Sequence, residues 1–172
     1  MNDTLVRHLR WQFEEARSGS RWHSLRTVLA GLAPAEADWT PPAYAGFPWN
    51  RGSIREILVH LGGDHLHQIS RAFGQGEWTW EAVLARYRER GGDLNAALAL
   101  VDEGFAAIFA TLATLTDDDL VATRRNIDRR RFRPIELFQM LLEHTLYHAG
   151  QIQYARCIYQ GLQSATASPE GG

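Results

Sequence analysis

Between Pro134 and Ala155 the sequence places its packing residues at alternating steps of four and three. This spacing puts them on one face of an α-helix, which has 3.6 residues per turn. Pro134 suits the first turn of such a helix, where its missing N–H leaves no hydrogen bond unmade. The residues of the stripe are Leu137, Leu141, His144, His148, Gln151 and Ala155. A long helix is therefore predicted, with two histidines on its packing face.

His144 and His148 are four residues apart, so their imidazoles point the same way and can close on one metal ion. A buried imidazole without a partner costs about 1–3 kcal/mol, and coordination to a metal would remove that cost. Hydrogen bonds to neighbouring carbonyl or carboxylate groups would remove it equally well. The pair also lacks the glutamate of the H-E-x-x-H motif, which serves as the base of metalloproteases. A third ligand is needed to decide between these alternatives.

The third candidate ligand, His60, lies on a second predicted helix. Ser53 and Glu56 form an S-x-x-E capping box, which predicts that this helix begins there. His60 is at the edge of its apolar stripe, where a side chain reaches a cavity shared with another helix. Three neutral imidazoles leave an open coordination position, as in catalytic zinc sites. We therefore predict a divalent ion, with zinc or nickel favoured, held by His60, His144 and His148.

The motifs that carry these histidines resemble those of a known family. The sequences G-S-I-R-E-I-L-V-H-L (residues 52–61) and H-T-L-Y-H-A-G-Q-I (residues 144–152) are similar to segments of the DinB/YfiT-like superfamily of metal-dependent enzymes. The similarity covers most of residues 5 to 160 and includes segments 21–25, 32–39 and 116–120.

This resemblance implies a four-helix bundle that binds a divalent ion with His60, His144 and His148, often as a homodimer. Characterised relatives include transferases and isomerases that depend on low-molecular-weight thiols. Many other members have no established reaction.

Helical periodicity runs through most of the remaining chain, and little of it alternates like a strand. At 172 residues with 45% apolar residues, the chain suits one domain with a substantial core. We predict an all-α four-helix bundle over residues 1–163, followed by a small polar tail, residues 164–172, that is disordered. The predicted helical segments are 3–17, 21–32 with Trp22 buried, 53–73, 79–90, 93–115 and the segment from Pro134.

Further polar residues follow His60 on the same face. Asp64 and His67 lie four and seven residues on, so either can bind the ion or hydrogen-bond a ligand imidazole. The second role is expected for Asp64, because carboxylates often fix the tautomer of a metal-bound histidine. His65 becomes a rival ligand if the helix is rotated. His23 either faces the pocket or is packed and hydrogen-bonded. The residues expected to line the pocket are Trp49, Asp64, Tyr147 and Gln151.

Residues 124–133 contain six arginines and one aspartate. One interpretation of this segment is a solvated loop. The other is a clamp for the carboxylates or phosphates of an anionic cosubstrate, which arginine binds through two parallel hydrogen bonds. The residues of this clamp are Arg129, Arg130, Arg131 and Arg133. The formal net charge of −2 argues against a nucleic-acid binder. The chain contains no lysine, which excludes Schiff-base chemistry at a lysine.

Composition also bears on compartment and assembly. No apolar run approaches the ~20 residues that span a bilayer, and Cys157 is the one cysteine, so we expect a soluble cytoplasmic protein without a membrane partner. A homodimer is expected because the chain carries more aromatic surface than a small bundle hides. The aromatic residues considered are Trp11, Phe13, Trp39, Trp49, Trp78 and Trp80.

The open position of a three-histidine site has two chemical uses. Bound water would become a hydroxide nucleophile for hydrolysis, and a bound thiol would become a thiolate for transfer or isomerisation. Hydrolysis also needs a general base, and Glu143 points about 100° away from His144 on its helix. Together with the resemblance to a family that includes thiol-dependent enzymes, the lack of a clear base favours a small-molecule substrate and a low-molecular-weight thiol. The alternatives are a metal-dependent hydrolase and a metal- or ligand-binding bundle without turnover.

Overall fold

The computed structural model describes residues 3–41 and 52–167, and within them the chain forms eight α-helices and one short β-hairpin. The prediction of an all-α fold is confirmed. The helices are α1 (Thr4–Glu14), α2 (Leu25–Leu29), α3 (Pro34–Asp38), α4 (Ile54–Phe73), α5 (Trp80–Glu89), α6 (Leu94–Leu112), α7 (Asp117–Val121) and α8 (Pro134–Ala167). A π-helical turn, Glu15–Gly19, extends α1. The hairpin pairs β1 (Arg124–Arg125) with β2 (Arg131–Phe132) in antiparallel register.

Local capping signals set the starts of the helices that form the site. The Ser53 hydroxyl accepts a hydrogen bond from the Glu56 amide at 3.2 Å, and the Glu56 carboxylate accepts one from the Ser53 amide, which confirms the predicted capping box of α4. The side chains of Thr79 and Asp93 cap α5 and α6 in the same way. Pro134 occupies the first turn of α8, as predicted.

One hydrophobic core joins α1, α4, α6 and α8. The Phe13 ring meets Phe105 of α6 and Phe138 of α8 edge-on, at centroid distances of 6.5 and 6.3 Å. Leu58 and Leu61 of α4 are fully buried in the same core. Phe13 was expected at a dimer interface, and that expectation is wrong because its ring is fully buried between these helices.

Helices α4 and α6 approach closely because glycines face each other between them. A Cβ atom on Gly62 would lie 2.5 Å from the Leu100 carbonyl carbon, and one on Gly104 would lie 2.8 Å from the Cβ of His65. No side chain larger than hydrogen fits at either position without displacing the neighbouring helix. The close contact fixes α4, and therefore His60, against the core.

Helix α6 is long and apolar enough to cross a membrane by length and composition, and it is the one such helix among the described residues. Its exposed positions are small or polar, whereas Leu100, Phe105 and Ile108 are fully buried against the other helices. Its four exposed residues are Asn95, Asp102, Ala106 and Ala110. This distribution is that of a core helix.

Two predicted segments differ from the structure. The helix predicted over residues 21–32 is confined to α2, because the Ser24 side chain caps it by accepting from the Thr27 amide and Gly31, with φ +68°, follows its end. Trp22 therefore lies in a turn before α2 with 78% of its surface exposed, and it is not buried as predicted. Residues 164–167, predicted to belong to a disordered tail, continue α8, and residues 168–172 lie outside the described residues.

Candidate metal centre

Three histidines from two helices meet through their Nε2 atoms. His144 Nε2 lies 3.2 Å from His60 Nε2 and 2.8 Å from His148 Nε2. Candidate ligand atoms of the three residues all lie within 4.8 Å of one another. The pair on α8 follows from the four-residue spacing, and α4 supplies the third ring from 84 residues earlier in the chain. The three histidines can therefore hold one metal ion.

His65 joins α4 to α8 next to this group. Its Nε2 lies 3.1 Å from Thr145 Oγ1, and the Thr145 hydroxyl donates to the Leu141 carbonyl at 2.8 Å. The hydroxyl proton is thus used, and His65 Nε2–H must donate to the hydroxyl oxygen. Burial lowers the pKa of His65 to about 3, so this ring stays neutral. His65 is a buried link between the two helices and lies outside the three-histidine group.

The outer nitrogens of His144 and His148 face hydrogen-bond acceptors. His144 Nδ1 lies 3.1 Å from Asp64 Oδ2, and Asp64 Oδ1 accepts from Gln68 Nε2 at 3.1 Å. His148 Nδ1 lies 2.7 Å from Gln151 Oε1. A carboxylate or amide oxygen can only accept, so a proton on Nδ1 suits both rings and would leave a lone pair at each Nε2.

Protonation of both rings on Nδ1 would suit a bound cation. With this protonation, the Nε2 lone pairs of His144 and His148, 2.8 Å apart, would repel each other unless a positive charge lay between them. In a tetrahedral zinc site, nitrogens at about 2.0–2.1 Å from the ion lie somewhat more than 3 Å from one another. The His60–His144 separation of 3.2 Å is close to that spacing, and the His144–His148 separation of 2.8 Å is shorter than it. The donor set, three histidine nitrogens close together, therefore suits a divalent ion.

The electrostatics of the site disfavour the protonated forms of His60 and His148. Burial and the neighbouring charge of His144 lower the pKa of His148 to about 4, and the same two causes lower the pKa of His60. Burial raises the pKa of Asp64, but its hydrogen bond and attraction to His144, with the hydrogen bond from Gln68, hold it below its ordinary value. Two imidazoles with lowered pKa values beside a carboxylate with a lowered pKa suit a metal site, because metal ligands must be deprotonated.

A cavity of about 660 Å³ lies beside His60, between α4 and α5. This size falls in the range of small-molecule sites, about 300–1,000 Å³. Most of the wall is apolar, and Arg55 and Glu56 supply the charged groups. Glu56 is one helical turn before His60, on the same face of α4. The lining residues are Arg55, Glu56, Val59, His60, Trp80, Leu84 and Tyr87.

Trp80 forms the wall of the cavity next to His60. Its ring is nearly parallel to the His60 imidazole, with centroids 5.7 Å apart and planes inclined by 7°. His67 also lies beside Trp80, at 5.9 Å between ring centroids, and its Nδ1 is 2.7 Å from the Trp78 carbonyl oxygen. His67 therefore connects α4 to the segment before α5 and lies outside the three-histidine group.

The predicted lining of the pocket differs from the observed one. Asp64 lies behind His144, and Gln151 lies behind His148 and donates to Tyr147 Oη at 3.0 Å. The difference arises because α5 packs against α4 and supplies one wall of the cavity. Trp49 falls outside the described residues.

His23 is exposed in the turn before α2, where its backbone amide donates to Ser20 Oγ, and its ring is not packed as one interpretation had it.

The arginine segment, residues 124–133, contacts α4 at a different place from the three histidines. The Ile127 amide donates to the Arg71 carbonyl at 3.0 Å, and the Arg71 guanidinium pairs with Asp128, so the hairpin abuts the C-terminal end of α4. Arg71 is 11 residues beyond His60, about 16 Å along a helix at 1.5 Å per residue. Among the described lining residues of the cavity there is none from the predicted clamp, whose members are Arg129, Arg130, Arg131 and Arg133.

Sequence reasoning missed three polar or aromatic residues of the site, Arg55, Glu56 and Trp80. Glu56 had a signal, because it precedes His60 by four residues, but only its capping role was recognised. Trp80 had none, since it reaches His60 only through the packing of α5 on α4. Arg55 likewise lines the cavity by virtue of contacts between segments, donating from Nη1 to Tyr87 Oη and the Gly92 carbonyl oxygen, each at 2.8 Å.

A sequence model of the DinB superfamily matches residues 19–152, which is most of the chain. The protein therefore belongs to the DinB superfamily. Proteins of this superfamily bind metal ions, in agreement with the three histidines that can hold one. A search of curated proteins found none that matches.

Proposed function

We propose that the protein is a metal-dependent enzyme that uses a low-molecular-weight thiol, transferring it to a small electrophile or using it to isomerise one. The observation that carries the proposal is the convergence of three Nε2 atoms beside a cavity of about 660 Å³. Membership of the DinB superfamily supports it.

The protein side chains would prepare the site for a zinc or nickel ion. Asp64 and Gln151 place oxygen atoms 3.1 and 2.7 Å from Nδ1 of His144 and His148, which favours the ring orientations that turn both Nε2 atoms toward the ion. When bound, a divalent ion lowers the pKa of a thiol at its open position and so supplies a thiolate nucleophile. The apolar walls of the cavity, including Val59 and Leu84, exclude water from the organic part of the substrate.

Two carboxylates near the ligands are poorly placed to activate water. Glu143 is exposed and accepts a hydrogen bond from Gln139 Nε2 at 2.9 Å, on the outer surface of α8. Asp64 is engaged by His144 and Gln68. Neither is positioned to take a proton from water in the cavity, which favours thiol chemistry over hydrolysis.

Glu56 favours the alternative, a metal-dependent hydrolase. Its carboxylate lines the cavity one turn before His60, although Oε2 also accepts from the Ser53 amide and hydroxyl. A carboxylate in this place could act as general base toward water. A Glu56→Gln variant separates the two functions, because it would abolish hydrolysis of an activated ester and leave thiolate formation at the ion intact.

The test begins with a metal inventory of the purified protein. A cobalt-substituted sample is then titrated with cysteine-derived thiols, and conjugates with a generic electrophile are measured against the metal-free protein. Thiol-dependent changes in cobalt absorption together with conjugate formation are expected. If neither occurs while the ion is bound, the protein is a binding bundle or, if esters are cleaved, a hydrolase.

We further propose that the protein works on small molecules in the cytoplasm as a homodimer, without nucleic-acid or membrane partners. Of the aromatic residues first considered for the interface, Trp11 is exposed, at 54% of its surface. Tyr147 and Tyr154, two turns apart on α8, are also exposed, at 53% and 71%, and offer an apolar face for self-association. Light scattering at micromolar concentration tests this, and a mass near the chain's 19.4 kDa contradicts it.

A further inference from the structure

We infer that Trp80 is a positioning residue that holds His60 in the orientation required to bind the ion. The indole and the imidazole are parallel to within 7°, with centroids 5.7 Å apart. In this orientation His60 directs Nε2 toward His144 Nε2, 3.2 Å away. Rotation of the imidazole out of this plane would remove it from the stack and turn Nε2 away from the other two ligands.

Trp80 is itself held in place by independent contacts. Thr79 caps α5 by accepting from the Ala82 amide at 3.2 Å, which makes Trp80 the first residue of the helix. His67 Nδ1 lies 2.7 Å from the Trp78 carbonyl oxygen and ties the preceding segment to α4. The backbone position of Trp80 is therefore set by contacts that do not involve His60.

Gly63 provides the space that the indole occupies. A Cβ atom at this position would lie 2.9 Å from Trp80 Cζ3 and 2.7 Å from Val83 Cγ1. The indole passes over the bare backbone of α4 between His60 and His67, and makes ring contacts with both. A side chain on Gly63 would push the indole off this surface.

The stack is expected to be stronger when the ion is bound. An imidazole that donates its lone pair to a cation loses electron density, and the negative face of an indole attracts an electron-poor ring. A contact that is stronger in the loaded state must raise the affinity for the ion by the same factor. Trp80 would thus orient His60, as Asp64 and Gln151 orient His144 and His148.

The experiment measures the dissociation constant for Co²⁺ by titration of the metal-free protein. We expect Trp80→Ala to weaken binding about tenfold, the lower end of the effect of residues that orient metal ligands. Trp80→Phe, which keeps an aromatic face, should restore most of the affinity. Leu84→Ala is the matched control, because it shortens an apolar side chain of the same helix and cavity without a ring contact to His60.

Two further measurements separate positioning from folding. Gly63→Ala keeps the indole but displaces it, so it should weaken Co²⁺ binding as Trp80→Ala does. Urea unfolding of each metal-free variant shows whether the fold itself has changed. Quenching of tryptophan fluorescence by Co²⁺ should be largely lost in Trp80→Phe, since this indole touches a ligand ring.

The inference rests on the ion-binding part of the proposed function and not on the thiol chemistry. If the wild-type protein binds no ion, both are contradicted. If it binds Co²⁺ and Trp80→Ala binds equally well with unchanged fluorescence quenching, the positioning role is wrong and the proposed function stands.

Discussion

The three histidines and the arginines of residues 124–133 are both candidate sites in the sequence. The fold brings the histidines together and leaves the arginines apart from the cavity. His60, His144 and His148 converge from two helices, and the outer nitrogens of the α8 pair meet fixed acceptors. Most arginines of the hairpin are exposed, and Arg124 and Arg133 pair with Asp119 of α7 and Glu136 of α8, both close in sequence. The spacing of the histidines along a helix face correctly predicted that they lie together in the structure. The high density of arginines did not predict a binding site.

The largest expected effect is loss of the ion from a His144→Ala, His148→Ala double variant. One imidazole cannot retain a divalent ion at stoichiometric occupancy after dialysis. Ion binding should also stabilise the wild-type fold by about 4 kcal/mol at a thousandfold excess over the dissociation constant, and this gain should vanish in the variant. Elemental analysis and urea unfolding measure the two effects.

His8→Ala is the control for that experiment, because His8 is exposed on α1 and outside the three-histidine group. It should keep the full complement of ion. Stoichiometric metal in the double variant would show that the site lies elsewhere.

Most of the ligand geometry was predictable because its determinants are local. The Ser53 capping box sets the start of α4, and the four-residue spacing sets the pair on α8. The wall of the cavity was not predictable, since Trp80 meets His60 only because α5 folds back over Gly63. The sequence has no periodic signal for such a contact between segments.

The hairpin illustrates the same limit. Residues 124–133 were predicted as a loop or a clamp, and the structure makes them a two-stranded hairpin against Arg71 at the far end of α4 from the cavity. Its short strands have no alternating apolar pattern to identify them. Their position depends on contacts of the Ile127 amide and Asp128 with Arg71 of α4. Arg71 precedes Asp128 by 57 residues, so no local pattern predicts this contact.

The next effect in size concerns the carboxylate behind His144. Asp64→Asn keeps a hydrogen-bond acceptor but removes the negative charge that makes the ligand more basic. We expect ion affinity to fall about 10- to 100-fold. Glu143→Gln is the matched control, since it makes the same chemical change next to His144 on the exposed side of α8. Equal affinities for Asp64→Asn and the control would remove Asp64 from the site.

A smaller effect concerns the stability of the fold and the carboxylate of Asp117, which lies outside the metal centre. Asp117 of α7 accepts hydrogen bonds from the Leu5 and Val6 amides, both at 3.0 Å to Oδ1, and so caps α1 from a distant segment. Partial burial raises the pKa of Asp117, but these backbone hydrogen bonds outweigh it and hold the pKa below 3.8. The stabilisation is therefore complete above that value and is lost as the pH falls through the lower pKa of the folded state.

Asp117→Asn should accordingly lower the urea midpoint at pH 7, and the difference from wild type should shrink in strong acid. Asp118→Asn is the control, because Asp118 is the exposed neighbour in the same helix. A deficit in Asp117→Asn that is constant with pH would contradict the charged cap.

The smallest effect is expected from the arginines that lack a carboxylate partner in the described part of the chain. Arg130 and Arg131 are exposed at the hairpin, about 16 Å along α4 from His60 as judged by the position of Arg71. Because charges at that range are strongly screened at physiological salt, the double variant Arg130→Ala, Arg131→Ala should bind the ion with unchanged affinity and unfold within about 0.5 kcal/mol of wild type. Titration of the metal-loaded variant with an anionic thiol and with its uncharged analogue decides the matter. A tenfold loss for the anionic thiol alone would restore the clamp, and would mean that the hairpin swings toward the cavity when the cosubstrate binds.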